Sequence, residues 1–264
     1  MNRFFIPPTQ IHEQTVTFPE DLCHQILHVL RLKDGDSVKV LDNSGLVYTV
    51  RLGVDEGRKA VVGTVLDVAV SLSEPPVRVT LCCGLTQREK LEWILQKGTE
   101  VGVTDFRPFV SSRTLVQSTT LKEKRRNRWE AIIREAAEQS ARGRLPRLHD
   151  PVPLQDILEN NSMNVLSLVA WEEADPETGS LAQVLKGFRG DSVQLLVGPE
   201  GGLSEEEVEA AREAGWQVVS LGPRILRMET AAILFPGAAR ALGRHAKRKS
   251  LIGNFNLILG LFYL

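Results

Sequence analysis

Residues Leu195–Ala232 read LLVGPEGGLSEEEVEAAREAGWQVVSLGPRILRMETAA. Just before and into this stretch, the apolar run Val193–Val197 has the length and composition of a buried strand. It stops at Gly198-Pro199-Glu200-Gly201-Gly202, where glycines let the backbone turn sharply and approach a ligand. A helix follows. Ser204 is a good N-cap, Glu207 completes a capping box, and Leu203 and Val208 occupy the two positions of a hydrophobic staple. Gly215 is placed to end the helix. A second apolar strand, Gln217–Leu221, runs into Gly222-Pro223 and then Arg224–Ala231. Two glycine-proline turns, each closing a strand, predict a parallel α/β sheet with a ligand cleft at the strand ends. Pattern alone also allows two sharp turns with no ligand. The first turn is neither a GxGxxG fingerprint nor a Walker A loop, because no Gly-Lys-Ser/Thr follows.

Toward the N-terminus, Val77–Cys83 is an apolar strand and Asp105–Val110 a second. Between them Leu91, Ile94, Leu95, Gly98 and Val101 recur at helical spacing over Gln87–Val101, which gives a strand-helix-strand unit. Trp93 falls off that stripe and is free to cover a neighbouring element or an interface. Val165–Trp171 predicts another buried strand and Leu181–Lys186 a short helix. Residues 1–72 read as mainly β. Ser37–Leu41 and Leu46–Leu52 alternate around the hairpin residues Asp42–Gly45, Ala60–Val70 adds strand, and one short helix opens at Phe18–Asp21. That pattern suggests a small barrel. Ser71–Pro76, SLSEPP, reads as the linker.

The chain has 264 residues, enough for one large or two ordinary domains, and a net charge of −1. The total does not advertise a nucleic-acid partner, and the distribution is more informative. Trp129, Ile132, Ile133, Ala136, Ala137 and Ser140 form one helix face, and residues 122–147 carry nine basic against four acidic side chains. Such a patch suits phosphates, although a solvated face with internal Glu–Arg pairs explains the charge equally well. Cys23, Cys82 and Cys83 include no CxxC, which argues against a disulfide framework or a zinc site and for a reducing cytosol. His24 and His28 lack a third ligand nearby in sequence and are read as ordinary helix residues. Met1–Gln10 has no apolar core of the kind a secretory leader needs.

GPEGGLSEEE followed by LGPRILRMETA closely resembles the RsmE family, and so do RFFIP, HVLRLKDGD, KLEWILQKGTEVGV and REAAEQSARGRLP, in the same order over residues 1–235. The resemblance implies an S-adenosyl-L-methionine-dependent methyltransferase that modifies N3 of a uridine in the 16S rRNA of the small ribosomal subunit. It acts as a cytoplasmic homodimer, with no metal and no membrane. It implies an α/β fold: a PUA-like RNA-binding β-barrel over residues 1–72 and a SPOUT-type domain over 77–240 with a mostly parallel sheet and a deep trefoil knot. Cofactor binding is carried onto Gly198, Pro199, Glu200, Gly201, Gly202, Leu221, Gly222, Arg224, Ile225 and Leu226.

The reaction moves a methyl group from a sulfonium to a ring nitrogen, so positioning, removal of the N3 proton and stabilisation of negative charge are the tasks. Arg227 is the candidate electrostatic stabiliser, against a plain ion pair with Glu229 or Glu200. Glu200 is a candidate base or an orienter of its loop. The helix after the first turn is expected to favour the cofactor's carboxylate. Arg3, Arg31, Lys33, Arg142 and Arg144 are the RNA-binding candidates, and Ala141 stands where the family usually has glycine.

Beyond Ala232 the family's pattern implies a closing helix, but Ile233-Leu234-Phe235-Pro236-Gly237 should interrupt one. Residues 241–264 read as an atypical tail, basic and then apolar. The 14 residues Leu251–Leu264 are too short to span a bilayer as a helix. Loss of the closing helix would undercut cofactor binding and dimer formation, leaving an RNA-binding module without catalysis. A knotted methyltransferase for another RNA position is the alternative within enzymes.

Overall fold

The computed structural model describes residues 1–55, 57, 60–159, 165–175, 179–188 and 190–247. Of the tail expected over 241–264, residues 241–247 belong to the last helix and 248–264 lie outside the described residues. In chain order the elements are β1 (Arg3–Phe5), β2 (Ile11–His12), β3 (Thr15–Thr17), α1 (Glu20–His24), β4 (Ser37–Leu41), β5 (Leu46–Asp55), β6 (Ala60–Val70), β7 (Arg78–Gly84), α2 (Arg88–Val101), β8 (Asp105–Val110) and α3 (Glu123–Gln139). They continue with β9 (Arg147–Leu148), β10 (Val152–Pro153), α4 (Leu154–Glu159), β11 (Leu166–Ala170), α5 (Leu181–Gly187), β12 (Ser192–Val197), α6 (Glu205–Glu213), β13 (Gln217–Val219) and α7 (Met228–Lys247). They fall into two compact units. One comprises Met1–Glu74, Leu95–Glu100 and Lys122–Arg147; the other comprises Pro75–Ile94, Val101–Leu121 and Leu148–Leu264.

The first unit holds a six-stranded sheet in the order β1-β4-β5-β6-β3-β2, antiparallel except where β1 joins β4. Alternation puts Phe4, Val38, Val40, Val50 and Val61 on one face. There they pack with Val16, Phe18 and Ile26. Phe4 and Phe18 meet edge to face with centroids 6.2 Å apart. The opposite face at Phe5, Leu41 and Val47 is covered by Ala137 of α3. The hairpin between β4 and β5 turns on left-handed Asn43 (φ 67°) and Gly45 (φ 96°), the residue types that tolerate it. The short helix after Phe18 relaxes into a π-helical turn at Gln25–Val29.

The second unit is built on a parallel sheet in the order β10-β8-β7-β12-β11-β13, with β9 also paired to β8. Its central strands are buried on both faces and read as continuous apolar runs, which is why they were legible as buried. Cys82 and Cys83 lie wholly inside β7, and burial pushes their thiols up to about 12.

One expectation is overturned. Pro236 does not interrupt the last helix: α7 runs unbroken through it to Lys247. Met228, Ala231, Ala232, Phe235 and Ala239 form a buried stripe on both sides of the proline, and the helix packs on β7 and β12. That packing outweighs the roughly 3 kcal/mol an interior proline costs.

Candidate active site

The carboxyl ends of the parallel strands are level. Gly84 of β7 stands beside Phe109 of β8, Cys83 beside Val197 of β12, and Ala170 of β11 beside both Val197 and Val219 of β13. The strands that lead into the two glycine-proline bends are therefore separated by one strand, two spacings or roughly 10 Å. Both bends leave the same edge of the sheet, where open parallel sheets bind ligands.

The first bend is tightly held. A Cβ on Gly84 would lie 2.5 Å from the Pro199 nitrogen, so only glycine lets the two backbones pass. Gly202 is left-handed (φ 72°), and its N–H donates to the Pro199 carbonyl at 2.9 Å. A Cβ on Gly201 would press on the Arg113 backbone, and Arg113 donates through Nη1 to the carbonyls of Gly201 (3.3 Å) and Leu203 (3.2 Å). The capping box forms as the spacing predicts. Ser204 Oγ accepts from the Glu207 N–H, and Glu207 Oε2 accepts from the Ser204 N–H. Glu207 Oε1 also accepts from the Ser112 N–H at 2.8 Å. Glu205, Glu206 and Glu207 fill the first turn of α6, so this helix start already carries its anions, contrary to the expected attraction for a ligand carboxylate.

Glu200 is the chemically distinctive group of this bend. Its Oε1 accepts from the Thr86 hydroxyl and from Lys90 Nζ at 3.2 Å, while its Oε2 is buried with no partner. Burial alone would raise this carboxyl. The Thr86 hydroxyl, the residue's own N–H and the Lys90 ammonium outweigh it and hold the group below the ordinary glutamate value. Glu200 is thus a firmly ionised acceptor and a weak proton base.

The second bend is open. Gly222 is left-handed (φ 115°) with nothing within 4 Å of where a Cβ would stand. Ser220 Oγ accepts from the Gly222 N–H at 3.2 Å and donates to its carbonyl at 3.3 Å. Arg224, Ile225 and Arg227 are exposed, Ile225 by 85%, whereas Leu221 and Leu226 are half-buried. Among the described residues Arg227 makes no ion pair with Glu229 or Glu200.

The five basic candidates all fall in the other unit. Arg3 lies on β1 opposite Lys39, and Arg31 (φ 54°), Lys33 and Arg144 are exposed. Arg142 does not join an exposed basic face. It is 3% exposed and donates to both oxygens of Glu74 and to the Thr99 carbonyl. Glu74 Oε1 also accepts from the N–H groups of Gly143 and Arg144. Burial would raise the Glu74 carboxyl, but these donors hold it below its usual range. Arg142 therefore fixes the turn from which Arg144 projects. The turn itself closes α3: Arg142 N–H donates to the Ala137 carbonyl and Ala141 N–H to that of Glu138, with Ala141 left-handed at φ 61°. This is the helix ending that glycine normally serves.

Sequence reasoning missed Gly84, Thr86, Lys90 and Arg113 around the first bend, and Glu74 beneath the basic turn. Each acts across a long sequence separation, so no local spacing marks it. Gly84 alone gave a signal, as a glycine ending an apolar strand.

Level strand ends carrying two glycine-proline bends define a parallel α/β protein whose bends leave the carboxyl edge of the sheet, where this class binds small molecules. Residues 73–239 match the family model of the RNA methyltransferase domain. The chain is 36% identical over 240 residues to ribosomal RNA small subunit methyltransferase E of Bacillus subtilis, covering 88% of this chain and 93% of that one. It is 34% identical to the protein of the same name from Synechocystis, covering 87% and 74%. Among solved structures it resembles the Neisseria gonorrhoeae ribosomal RNA small subunit methyltransferase E bound to S-adenosyl methionine, with TM-score 0.81, 31% identity and coverage of 92% and 98%. The chain belongs to the RNA methyltransferase family, in its ribosomal RNA small subunit methyltransferase E (RsmE) group.

Proposed function

We propose that this chain is an S-adenosyl-L-methionine-dependent methyltransferase that methylates N3 of a uridine in 16S rRNA of the small ribosomal subunit. The observation that carries the reading is the orphaned Glu200 Oε2 at a glycine-lined strand edge. The N. gonorrhoeae relative's S-adenosyl methionine supports the same cofactor here. The residues fit it. The cofactor offers hydroxyl, ammonium and amino donors to an acceptor that has none, and an exposed Ile225 can cover its flat apolar part. Gly198, Pro199, Glu200, Gly201 and Gly202 would hold it from one bend, and Leu221, Gly222, Arg224, Ile225 and Leu226 from the other.

When bound, the cofactor supplies an electrophilic methyl group on a positive sulfur. The chain's own work is to align the uracil ring with that methyl, exclude water and manage the N3 proton. As that proton leaves, negative charge spreads onto the ring's carbonyl oxygens. Arg227, exposed at the start of α7, is the proposed stabiliser of that charge. Glu200 is assigned to cofactor binding rather than to proton removal, because a carboxyl held below its ordinary value takes protons poorly.

RNA is held, in this proposal, by the N-terminal PUA-like domain, residues 1–72, through Arg3, Arg31 and Lys33, together with Arg144. The methyltransferase domain over 77–240 carries the SPOUT knot. The return of α7 from the edge strand β13 to β7 and β12 supports such threading. The enzyme works as a homodimer in the cytoplasm; no described helix is long and apolar enough to cross a membrane. Calorimetry with S-adenosylmethionine, then mass mapping of nucleosides from small subunits treated with the protein, tests the reading. Binding and 3-methyluridine are expected. No binding leaves an RNA-binding module, and methyl on another position, such as a ribose 2′-hydroxyl, replaces the assigned target.

A further inference from the structure

Glu200 belongs to the first bend, but its carboxylate is fixed by residues more than a hundred positions earlier. Thr86 lies in the turn after β7 and Lys90 in the first turn of α2, and both reach the same oxygen, Oε1. The other oxygen is buried and bare. An ion pair that served stability alone would spread its donors over both oxygens, since a shielded acceptor without a partner is costly. The two side-chain donors instead share one oxygen and leave the other, shielded, without a partner.

We infer that Thr86 and Lys90 are positioning residues for the cofactor: they clamp Glu200 by Oε1 so that Oε2 receives a hydroxyl or ammonium of S-adenosylmethionine. The inference rests on the reading of this cleft as the cofactor site. Lys90 is itself 39% exposed, so its direct contribution to stability as a surface charge is small, and its role is exercised through Glu200. Two other charged groups stand at the bend. Arg113 donates to the carbonyls of Gly201 and Leu203, and Glu172 carries its carboxylate toward Gly202.

A structural role and a positioning role differ in their response to pH. Burial raises the Glu200 carboxyl, and Thr86 and Lys90 oppose it. Without either donor the carboxyl protonates at higher pH, and a protonated acid is a poorer acceptor. Cofactor affinity in the variants therefore falls as pH is lowered, while the parent's affinity does not fall in step.

The test is calorimetry of the full chain with S-adenosylmethionine at about pH 5 and about pH 7, on the parent and on Thr86→Val, Thr86→Ser, Lys90→Met and Lys90→Arg. Thermal unfolding without cofactor verifies that each variant is folded. Thr86→Val and Lys90→Met are expected to bind several-fold more weakly than the parent, with the larger loss at the lower pH, and the Ser and Arg variants within about twofold. Parent-like binding by Thr86→Val and Lys90→Met overturns the inference, and so does an equal loss in the Ser and Arg variants. A parent chain that fails to bind S-adenosylmethionine removes the cofactor reading and this inference with it. Parent binding with unaffected variants removes this inference alone.

Discussion

The two glycine-proline bends look alike in sequence, each a Gly-Pro after an apolar strand, and they leave the same edge of one sheet. In the structure they are opposites. Pro199 is pressed against Gly84, Arg113 ties down two carbonyls, and Glu200 is clamped from Thr86 and Lys90. Gly222 has open space around it, and Ile225 points into solvent. The difference separates a preformed wall from one that a ligand completes. A rigid wall contributes orientation without ordering cost at binding, whereas an open bend lets a ligand enter before it is covered.

The contrast breaks most visibly if the first bend tolerates bulk. Gly84→Ala puts a methyl 2.5 Å from one backbone atom of Pro199 and 2.8 Å from another, and neither can move without moving the bend. Denaturant unfolding is expected to show a loss of about 2–3 kcal/mol. An unchanged midpoint would mean that the bend is as loose as its partner. The same methyl at Gly222 meets no atom, so only the backbone objects. At φ 115° an alanine is strained, and the expected loss is about 1–2 kcal/mol, with no packing component.

A residue in the other unit calibrates that backbone cost. The C-termini of α3 and α6 end in the same paired hydrogen bonds, Arg142 to Ala137 with Ala141 to Glu138, and Trp216 to Ala211 with Gly215 to Arg212. The left-handed residue is Ala141 in one and Gly215 in the other. Ala141→Gly is expected to raise unfolding stability by about 0.5–1 kcal/mol, the relief of a left-handed methyl less the extra freedom glycine has when unfolded. A loss on this substitution would show that the methyl makes contacts worth more than the strain, and the Gly222 estimate would need the same revision.

These ends also show what a sequence can disclose. Gly215 and the Ser204–Glu207 box were legible because their physics is local: a cap and its partner lie within one turn. The parallel sheet was legible because strands buried on both faces leave unbroken apolar runs at Val193–Val197 and Val77–Cys83. β1, β2, β3, β9 and β10 were not, since runs of two or three residues carry no period. The continuous α7 was misread because Pro236 is a local signal and the stripe that overrides it is tertiary. The burial of Arg142 was hidden for the same reason, since nothing near it in sequence points to Glu74. The bends' sequence gave their location but not their difference in tightness, which depends on Gly84, Thr86, Lys90 and Arg113.

The smallest effect on stability is the sharpest test of what the open bend is for. Ile225 is 85% exposed, so Ile225→Ala removes almost no packing from the free protein, and its unfolding midpoint is expected to shift by less than about 0.5 kcal/mol. An isoleucine left in water beside a glycine with empty surroundings gains only when something covers it. If S-adenosylmethionine does so, truncation removes apolar area buried on binding, and affinity falls by about 1 kcal/mol, roughly fivefold. The size of that loss should be independent of pH, because no titrating group is involved, unlike the loss expected at Thr86 or Lys90. Unchanged affinity would mean that the second bend stays open with the cofactor bound. The preformed wall would then have to hold the cofactor on its own, and Ile225 would be left for the RNA.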